Sequence, residues 1–326
     1  KDLNLRSPDY HLKHKSTNNI RAISKILIET DKILKEFKPD AIFVLGDTNS
    51  SLSSIVAKKK QIPIFHYEAG NRCFDERVPE EANRRIVDTI SDINITYSQI
   101  SRDYLIREGI KPDKIIKIWS PMCEVISFYR DQIENSIILE KLSLTNEKFI
   151  ILSCHREENI DPENKFEQLI KLLNELASNF NCKVIVTTHP RTRKRISDNN
   201  SIINKNVILH DPFSFTDYCK LQQNSLIVVS DSGTIAEETS ILGFNAINIR
   251  DSHERPEAIE ESPFILSSMD FEDVINKIKI LLRSKNRKNS FINKVKDYQD
   301  QNVSEKILRI ILGYTSFVER ETWKKY

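Results

Sequence analysis

Residues 226–256 read LIVVSDSGTIAEETSILGFNAINIRDSHERP. The apolar run Leu226-Ile227-Val228-Val229 stops abruptly at Ser230-Asp231-Ser232-Gly233-Thr234. A helical pattern then opens with Glu237 and Glu238, and a second apolar run, Ala246-Ile247-Asn248-Ile249, ends on Arg250. Short apolar runs bounded by turn residues mark buried parallel strands, so the stretch is a strand–helix–strand unit. Residues 231–234 fall where its helix begins. Free backbone N–H groups, hydroxyls and the positive end of the helix dipole suit a phosphate there. The alternative is an ordinary N-cap, in which Ser232 or Asp231 satisfies the helix's own donors.

The same alternation extends through the chain. A helical period covers 20–37, and strands are expected at 41–45, 62–67, 92–97 and 114–119, with helices at about 50–60, 79–90 and 98–108 between them. The pattern weakens into polar helix over 121–146 and restarts with strands at 149–153, 183–188 and 207–210, then the opening stretch. Residues 189–191 read as a loop, and helices are expected at 162–178, about 215–222, 271–282 and 304–311. Strands alternating with helices at this spacing predict an α/β chain of two doubly wound, Rossmann-like domains. They are placed at 1–145 and 146–326, with the last helices packing back on the first domain. Ligands of such sheets bind outside the carboxyl ends of the strands.

Bulk properties narrow the partners. Among 326 residues, 49 basic and 47 acidic side chains nearly cancel, to +2, and no basic tract stands out. Nucleic acid and anionic membranes are therefore not expected as main partners. No apolar run is long enough to span a bilayer and residues 1–10 lack a secretory core, so the reading is a soluble, cytoplasmic protein. The five cysteines are dispersed, with no CxxC pair, which argues against a disulfide framework or structural zinc. Cys154, Cys182 and Cys219 read as buried thiols. Metal and cofactor are both expected to be absent, because no His/Cys/Asp set has ligand spacing on one element and there is no Walker-type loop.

The two halves differ in chemistry. In the first, Asp47 and Glu68 follow strands, while Glu80 and Glu81 follow Pro79 in a helix's first turn, where complementing the helix dipole is the alternative role. In the second, His155, Arg156, His189, Arg191, Ser232, Arg250, His253 and Arg255 make the polar edge basic and hydroxylic. One half offers acid–base groups and the other a grip for an anion. Between two such domains this suggests a nucleotide-sugar enzyme working in the cleft.

Gly46-Asp47-Thr48, the run His66 to Arg72 (HYEAGNR), Pro79-Glu80-Glu81-Ala82-Asn83-Arg84, His155-Arg156-Glu157-Glu158-Asn159, Asp231-Ser232-Gly233 with Glu237-Glu238, and Glu254-Arg255-Pro256-Glu257 stand in this order. So ordered, they resemble the non-hydrolysing UDP-N-acetylglucosamine 2-epimerase family over nearly the whole chain. The wordings GDTNS, EAGNRCFDERVPEE and THPRTRKR look most like the branch acting on UDP-2-acetamido-2,6-dideoxy-L-talose, which forms UDP-N-acetyl-L-fucosamine for surface polysaccharides. The resemblance implies a GT-B-like fold and inversion of C2 of a UDP-N-acetylhexosamine by elimination and re-addition of UDP through a glycal. It further implies a homodimer. By position, Asp47, Glu68 and Glu80 resemble the family's catalytic carboxylates and His155 its histidine near the diphosphate. Ser232, Gly233 and Thr234 would hold the diphosphate, Glu238 the ribose hydroxyls and Tyr218 the uracil, while Arg255 would close the phosphate site. Arg72, Arg156 and His189 complete the expected substrate contacts.

Two departures stand out. Many family members carry a second glycine where this chain has Thr234. The family also begins with a strand and a Gly-Thr-Arg-Pro-Glu loop ahead of the point where this sequence starts, so a fragment of a longer product is expected. The alternatives are a UDP-N-acetylglucosamine to UDP-N-acetylmannosamine epimerase, a GT-B glycosyltransferase, and a catalytically silent nucleotide-sugar-binding protein.

Overall fold

The structure is a computed structural model that describes residues 3, 5–12, 16, 18–160, 162–188, 190–198, 201–250, 253–261, 264–285 and 294–325. It is an α/β fold of two compact units, each built on a parallel sheet.

The first unit comprises Leu5–Glu124, Glu254–Glu257 and Gln299–Tyr326. Its strands are β1 (Ile42–Leu45), β2 (Ile64–Tyr67), β3 (Ile93–Thr96) and β4 (Ile115–Lys117), in spatial order β1-β2-β3-β4. Parallel pairing sets Val44 beside His66 and His66 beside Asn94. Alternate residues face opposite ways along a strand. Phe65, Tyr67, Ile93 and Ile95 accordingly pack with Val303 and Val318 of the helix Val303–Glu321. Ile64 packs with Leu34 and Ala57. Leu34 belongs to the helix Asn19–Phe37, which buries Ala22, Ile26, Thr30 and Leu34 at a spacing of four and is capped by the Asn18 side chain accepting from Arg21 N–H. β1 is at the sheet's edge among the described residues, and Phe43 and Leu45 are exposed on it.

The second unit is built chiefly from Val125–His253 and Ala258–Tyr298. Its strands are β5 (Phe149–Ser153), β6 (Lys183–Thr187), β7 (Val207–His210), β8 (Ile227–Ser230), β9 (Ala246–Asn248) and β10 (Ile265–Leu266), ordered β10-β9-β8-β5-β6-β7. Both faces are covered. Ile150, Leu152, Val184 and Val229 meet Leu169, Leu172, Leu173 and Leu176 of the helix Glu163–Phe180. Phe149, Ile151, Ile185 and Val228 meet Leu221, Ile235 and Ala236. Each fully buried leucine there contributes on the order of 2 kcal/mol of burial. The chain steps outward in opposite directions from β5 and β8, so the turns after these neighbouring strands flank a topological switch point.

Several elements depart from the sequence reading. The chain changes unit at Val125, ahead of the boundary expected at 145, because Ile138 and Leu144 pack into the second core. The loop expected at 189–191 gives way to a helix, Pro190–Asp198. The helix expected to end at 311 continues to Glu321. Short elements at Pro256–Glu261 and β10 have no counterpart in the sequence reading. The five cysteines are free thiols, buried except for Cys73. Among the described residues no helix is long and apolar enough to cross a membrane, and no cluster of His, Cys, Asp or Glu could hold a metal ion.

Candidate active site

In the first unit, Asp47, Glu68 and the start of the helix Pro79–Ile90 converge. Gly46, just after β1, donates its N–H to Tyr67 O (3.0 Å). It has φ +70°, and a Cβ there would stand 3.0 Å from Glu68 Oε2. Glycine therefore lets the Asp47 turn approach the Glu68 carboxylate. Glu68 itself sits at φ 73°, in the left-handed region that costs a side chain strain and is held only by strong surroundings. Its Oε1 accepts from Arg255 Nη2 (2.7 Å) and Asn71 Nδ2 (3.3 Å). The Arg255 guanidinium also lies 4.9 Å from the centroid of the Tyr97 ring.

Asp47 Oδ2 accepts from Arg84 Nε at 2.9 Å, and Arg84 Nη2 lies 2.8 Å from the same oxygen as an ion pair. Arg84 is buried and also meets Glu81 (3.2 Å) and Glu254 (3.3 Å). Burial pushes the Asp47 carboxyl up to about 6; Arg84 offsets part of that, while Glu68, Glu254 and Glu80 add to it. The adjacent glutamates divide. Glu81 is fully buried and accepts from Cys73 N–H (3.1 Å), Arg84 and Arg85, contacts that outweigh its burial and hold its carboxyl below the usual range. Glu80 is half-buried on the same first turn and has no hydrogen bond or ion pair among the described residues. Glu81 is thus a brace, and Glu80 remains open for chemistry.

In the second unit the centre is Asp231, buried at the end of β8. Its carboxylate accepts from His155 N–H (3.0 Å), Arg156 N–H (3.0 Å) and Asn159 Nδ2 (3.1 Å), tying the turn after β5 to the turn after β8. His155 Nε2 is 3.0 Å from Thr187 Oγ1, and Arg156 Nε donates to Asp231 O (3.2 Å). Ser232 Oγ lies 2.9 Å from Thr234 Oγ1, which donates to Glu238 Oε1 (2.7 Å). Gln222 Nε2 donates to Glu238 Oε2 (2.5 Å). Burial raises the Glu238 carboxyl above its ordinary value, although Gln222 and Thr234 work against it. Burial likewise raises the Tyr218 phenol, with Glu238 adding to the effect and a hydrogen bond to Ser153 opposing it. A Cβ on Gly233 would stand 3.4 Å from Arg250 Nη1, so that turn runs over a buried guanidinium. Backbone N–H groups, hydroxyls and a cation at a switch point are what an oxyanion requires.

The structure therefore groups Asp47, Glu68, Glu80 and Arg255 in one unit, and His155, Arg156, Tyr218, Ser232, Gly233, Thr234 and Glu238 in the other. Arg255, expected with the phosphate contacts, pairs with Glu68. Arg72, expected among the substrate contacts, is engaged by acidic neighbours of its own unit. It is buried, with Nη1 donating to Asp88 (2.7 Å) and Asn71 O (2.7 Å), and Nε and Nη2 donating to Glu108 (2.8 and 2.5 Å). His189 lies outside the described residues. Sequence reasoning gives no role to Arg84 or Glu254, and it places Asp231 in the phosphate-binding turn or at the helix cap without its ties to His155, Arg156 and Asn159. Arg84 could have been sought from Asp47 alone, since a half-buried carboxylate asks for a cation.

Comparison with known proteins places these observations. The family model described as UDP-N-acetylglucosamine 2-epimerase matches residues 1–312. The chain is similar to the solved UDP-N-acetylglucosamine 2-epimerase of Rickettsia bellii, with 42% identity and a TM-score of 0.92 over 99% of this chain and 87% of that one. It is also similar to the Methanocaldococcus jannaschii UDP-GlcNAc 2-epimerase solved in complex with UDP-GlcNAc and UDP, with 30% identity and a TM-score of 0.85 over 95% and 86% of the two chains. The UDP-2,3-diacetamido-2,3-dideoxy-D-glucuronate 2-epimerase of Pseudomonas aeruginosa is 32% identical, over 79% of this chain and 72% of its own length.

Proposed function

The chain belongs to the UDP-N-acetylglucosamine 2-epimerase family, and from that premise we propose that it is an isomerase that inverts C2 of a UDP-2-acetamido sugar. The proton on C2 is adjacent to an acetamide nitrogen and to no carbonyl, so direct abstraction would leave an unstabilised carbanion. Breaking the C1–oxygen bond as the C2 proton leaves avoids that charge: UDP departs with the bond electrons, and a glycal remains. Protonation of the opposite face of C2 with return of UDP to C1 gives the epimer. Such a path asks for acid–base groups and for firm retention of a diphosphate.

The observation that carries this reading is the close approach of the Asp47 and Glu68 turns, made possible by Gly46, beside an open Glu80. Asp47, Glu68 and Glu80 are proposed as the proton-transfer groups and His155 as the group beside the departing phosphate oxygen. Ser232, Gly233, Thr234 and Arg156 would hold the diphosphate, with His189 and Arg255 assisting. Glu238 would accept from the ribose hydroxyls and Tyr218 would lie against the uracil. Arg72 would act through the Asn71 and Asp88 contacts rather than by touching the ligand. A homodimer in the cytoplasm is the expected setting.

For the sugar, the wordings GDTNS and EAGNRCFDERVPEE and the threonine at 234 favour the UDP-2-acetamido-2,6-dideoxy-L-talose substrate, giving UDP-N-acetyl-L-fucosamine. The names of relatives such as the M. jannaschii enzyme favour a second reading, conversion of UDP-N-acetylglucosamine to UDP-N-acetylmannosamine. Supplying each sugar nucleotide separately and resolving the C2 epimers by proton NMR decides between them. Turnover of the L-sugar alone supports the first, and turnover of UDP-N-acetylglucosamine alone overturns it.

A pH limb follows from Asp47. Burial moves its proton uptake from 3.8 to about 6, so the ionised form is present above that value and lost below it. The rate constant kcat/KM is expected to fall as pH drops through about 6. A flat profile between pH 5 and 8 would show that the ionised Asp47 is not required.

A further inference from the structure

His66 lies in β2, two residues ahead of Glu68, and is 1% exposed. Its Nδ1 is 2.8 Å from Asp88 Oδ1 and its Nε2 is 3.1 Å from Gly46 O. Both neighbours are acceptors. Gly46 O is a carbonyl already accepting from Ser51 Oγ (2.8 Å). Asp88 already accepts from Arg72 Nη1 (2.7 Å) and Gly70 N–H (3.3 Å). A bare ring nitrogen would set lone pair against lone pair at either position, so both nitrogens must donate. His66 and Arg72 then stand against Asp88 and Glu108, with Arg85 also 3.5 Å from Glu108 and shared with Glu81. Cations paired with carboxylates in this way are what a buried imidazolium needs beside it.

We propose that His66 is a positioning residue of the reaction, an imidazolium whose two N–H groups tie the turn carrying Asp47 to the turn carrying Glu68. The proposal rests on reading those two carboxylates as the proton-transfer groups. From Nε2 it fixes the carbonyl of Gly46, the residue before Asp47. From Nδ1 it fixes Asp88, whose carboxylate holds Gly70 N–H, two residues after Glu68. Glu68 thus keeps its left-handed backbone between two anchored points. Both ring protons are committed to structure, so His66 passes no proton to the sugar.

Two measurements test this. In wild-type protein labelled with 15N-histidine, the His66 signal, assigned by its loss in His66→Gln, is expected to show a proton on each ring nitrogen at pH 7. One unprotonated nitrogen would overturn the proposal, and this arm needs no turnover. In kinetics, His66→Gln is expected to lower kcat by about 100-fold, as a misplacement near 1 Å can, while UDP affinity is unchanged. In the double variant His66→Gln/Asp88→Asn, the glutamine amide can donate to Gly46 O and accept from the amide introduced at position 88. It is expected to recover at least about tenfold in kcat over His66→Gln. Wild-type kcat in a folded His66→Gln, or no recovery in a folded double variant, would overturn the positioning role. Absence of turnover in wild type with either sugar would instead count against the epimerase reading and leave the NMR result intact.

Discussion

Glu68→Gln is expected to lower the rate of epimerisation by about 10²–10⁴-fold, the usual worth of a positioned acid–base group, while UDP binding is retained. The substitution keeps the side chain's length and its ability to accept from Arg255 Nη2 and Asn71 Nδ2, which both reach Oε1. What it removes is the charge and the capacity to take or give a proton. The groups proposed for UDP, Ser232, Gly233, Thr234 and Glu238, belong to the other compact unit, so titration with UDP separates loss of chemistry from loss of binding. Normal turnover by the variant would remove Glu68 from the proton path.

The second large effect is on stability. Gly70→Ala is expected to cost about 3 kcal/mol or more, the sum of overpacking and a left-handed backbone. Gly70 has φ +79°, and a Cβ there would lie 2.4 Å from Ser101 O and 2.9 Å from Ser101 C. That carbonyl belongs to the helix Gln99–Arg107 and cannot swing away as a side-chain tip would, and Ser101 is further tied to Asn71 and Ser98. Gly109→Ala is the control. It has φ +92° but nothing within 4 Å of the added carbon, so only the backbone cost of about 1 kcal/mol remains. Urea unfolding of the two variants should separate them, and an equal loss would refute the steric argument.

Much of the fold was legible because its signals are local. Pro79 at a first turn with Glu80 and Glu81 behind it predicts the helix Pro79–Ile90. Ser98 as a cap and Gly109 as a stop bracket Gln99–Arg107. The failures were local as well. The helix expected to end at 311 runs on through Gly313 to Glu321, with Val318 buried against the first sheet. Arg-Thr-Arg-Lys-Arg offers almost no apolar period, with Ile196 its buried aliphatic neighbour, so the sequence signals no helix where Pro190–Asp198 forms.

The site was legible as residue types at strand ends, while the pairings that tune it were not. Asp47 is 37 residues from Arg84 and Glu68 is 187 from Arg255, and no spacing rule connects them. The same holds for Arg72. The resemblance implied a ligand contact for it, and its burial between Asp88 and Glu108 could not be read from the sequence.

Exchange at C2 is the central claim, and deuterium uptake in heavy water measures it directly. The protein is incubated separately with UDP-N-acetylglucosamine and with UDP-2-acetamido-2,6-dideoxy-L-talose, and the recovered sugar nucleotides are examined by proton NMR. The account predicts deuterium at C2 of at least one of them, in both epimers. Uptake with neither, in protein that still binds UDP, would contradict it and leave a nucleotide-sugar binder.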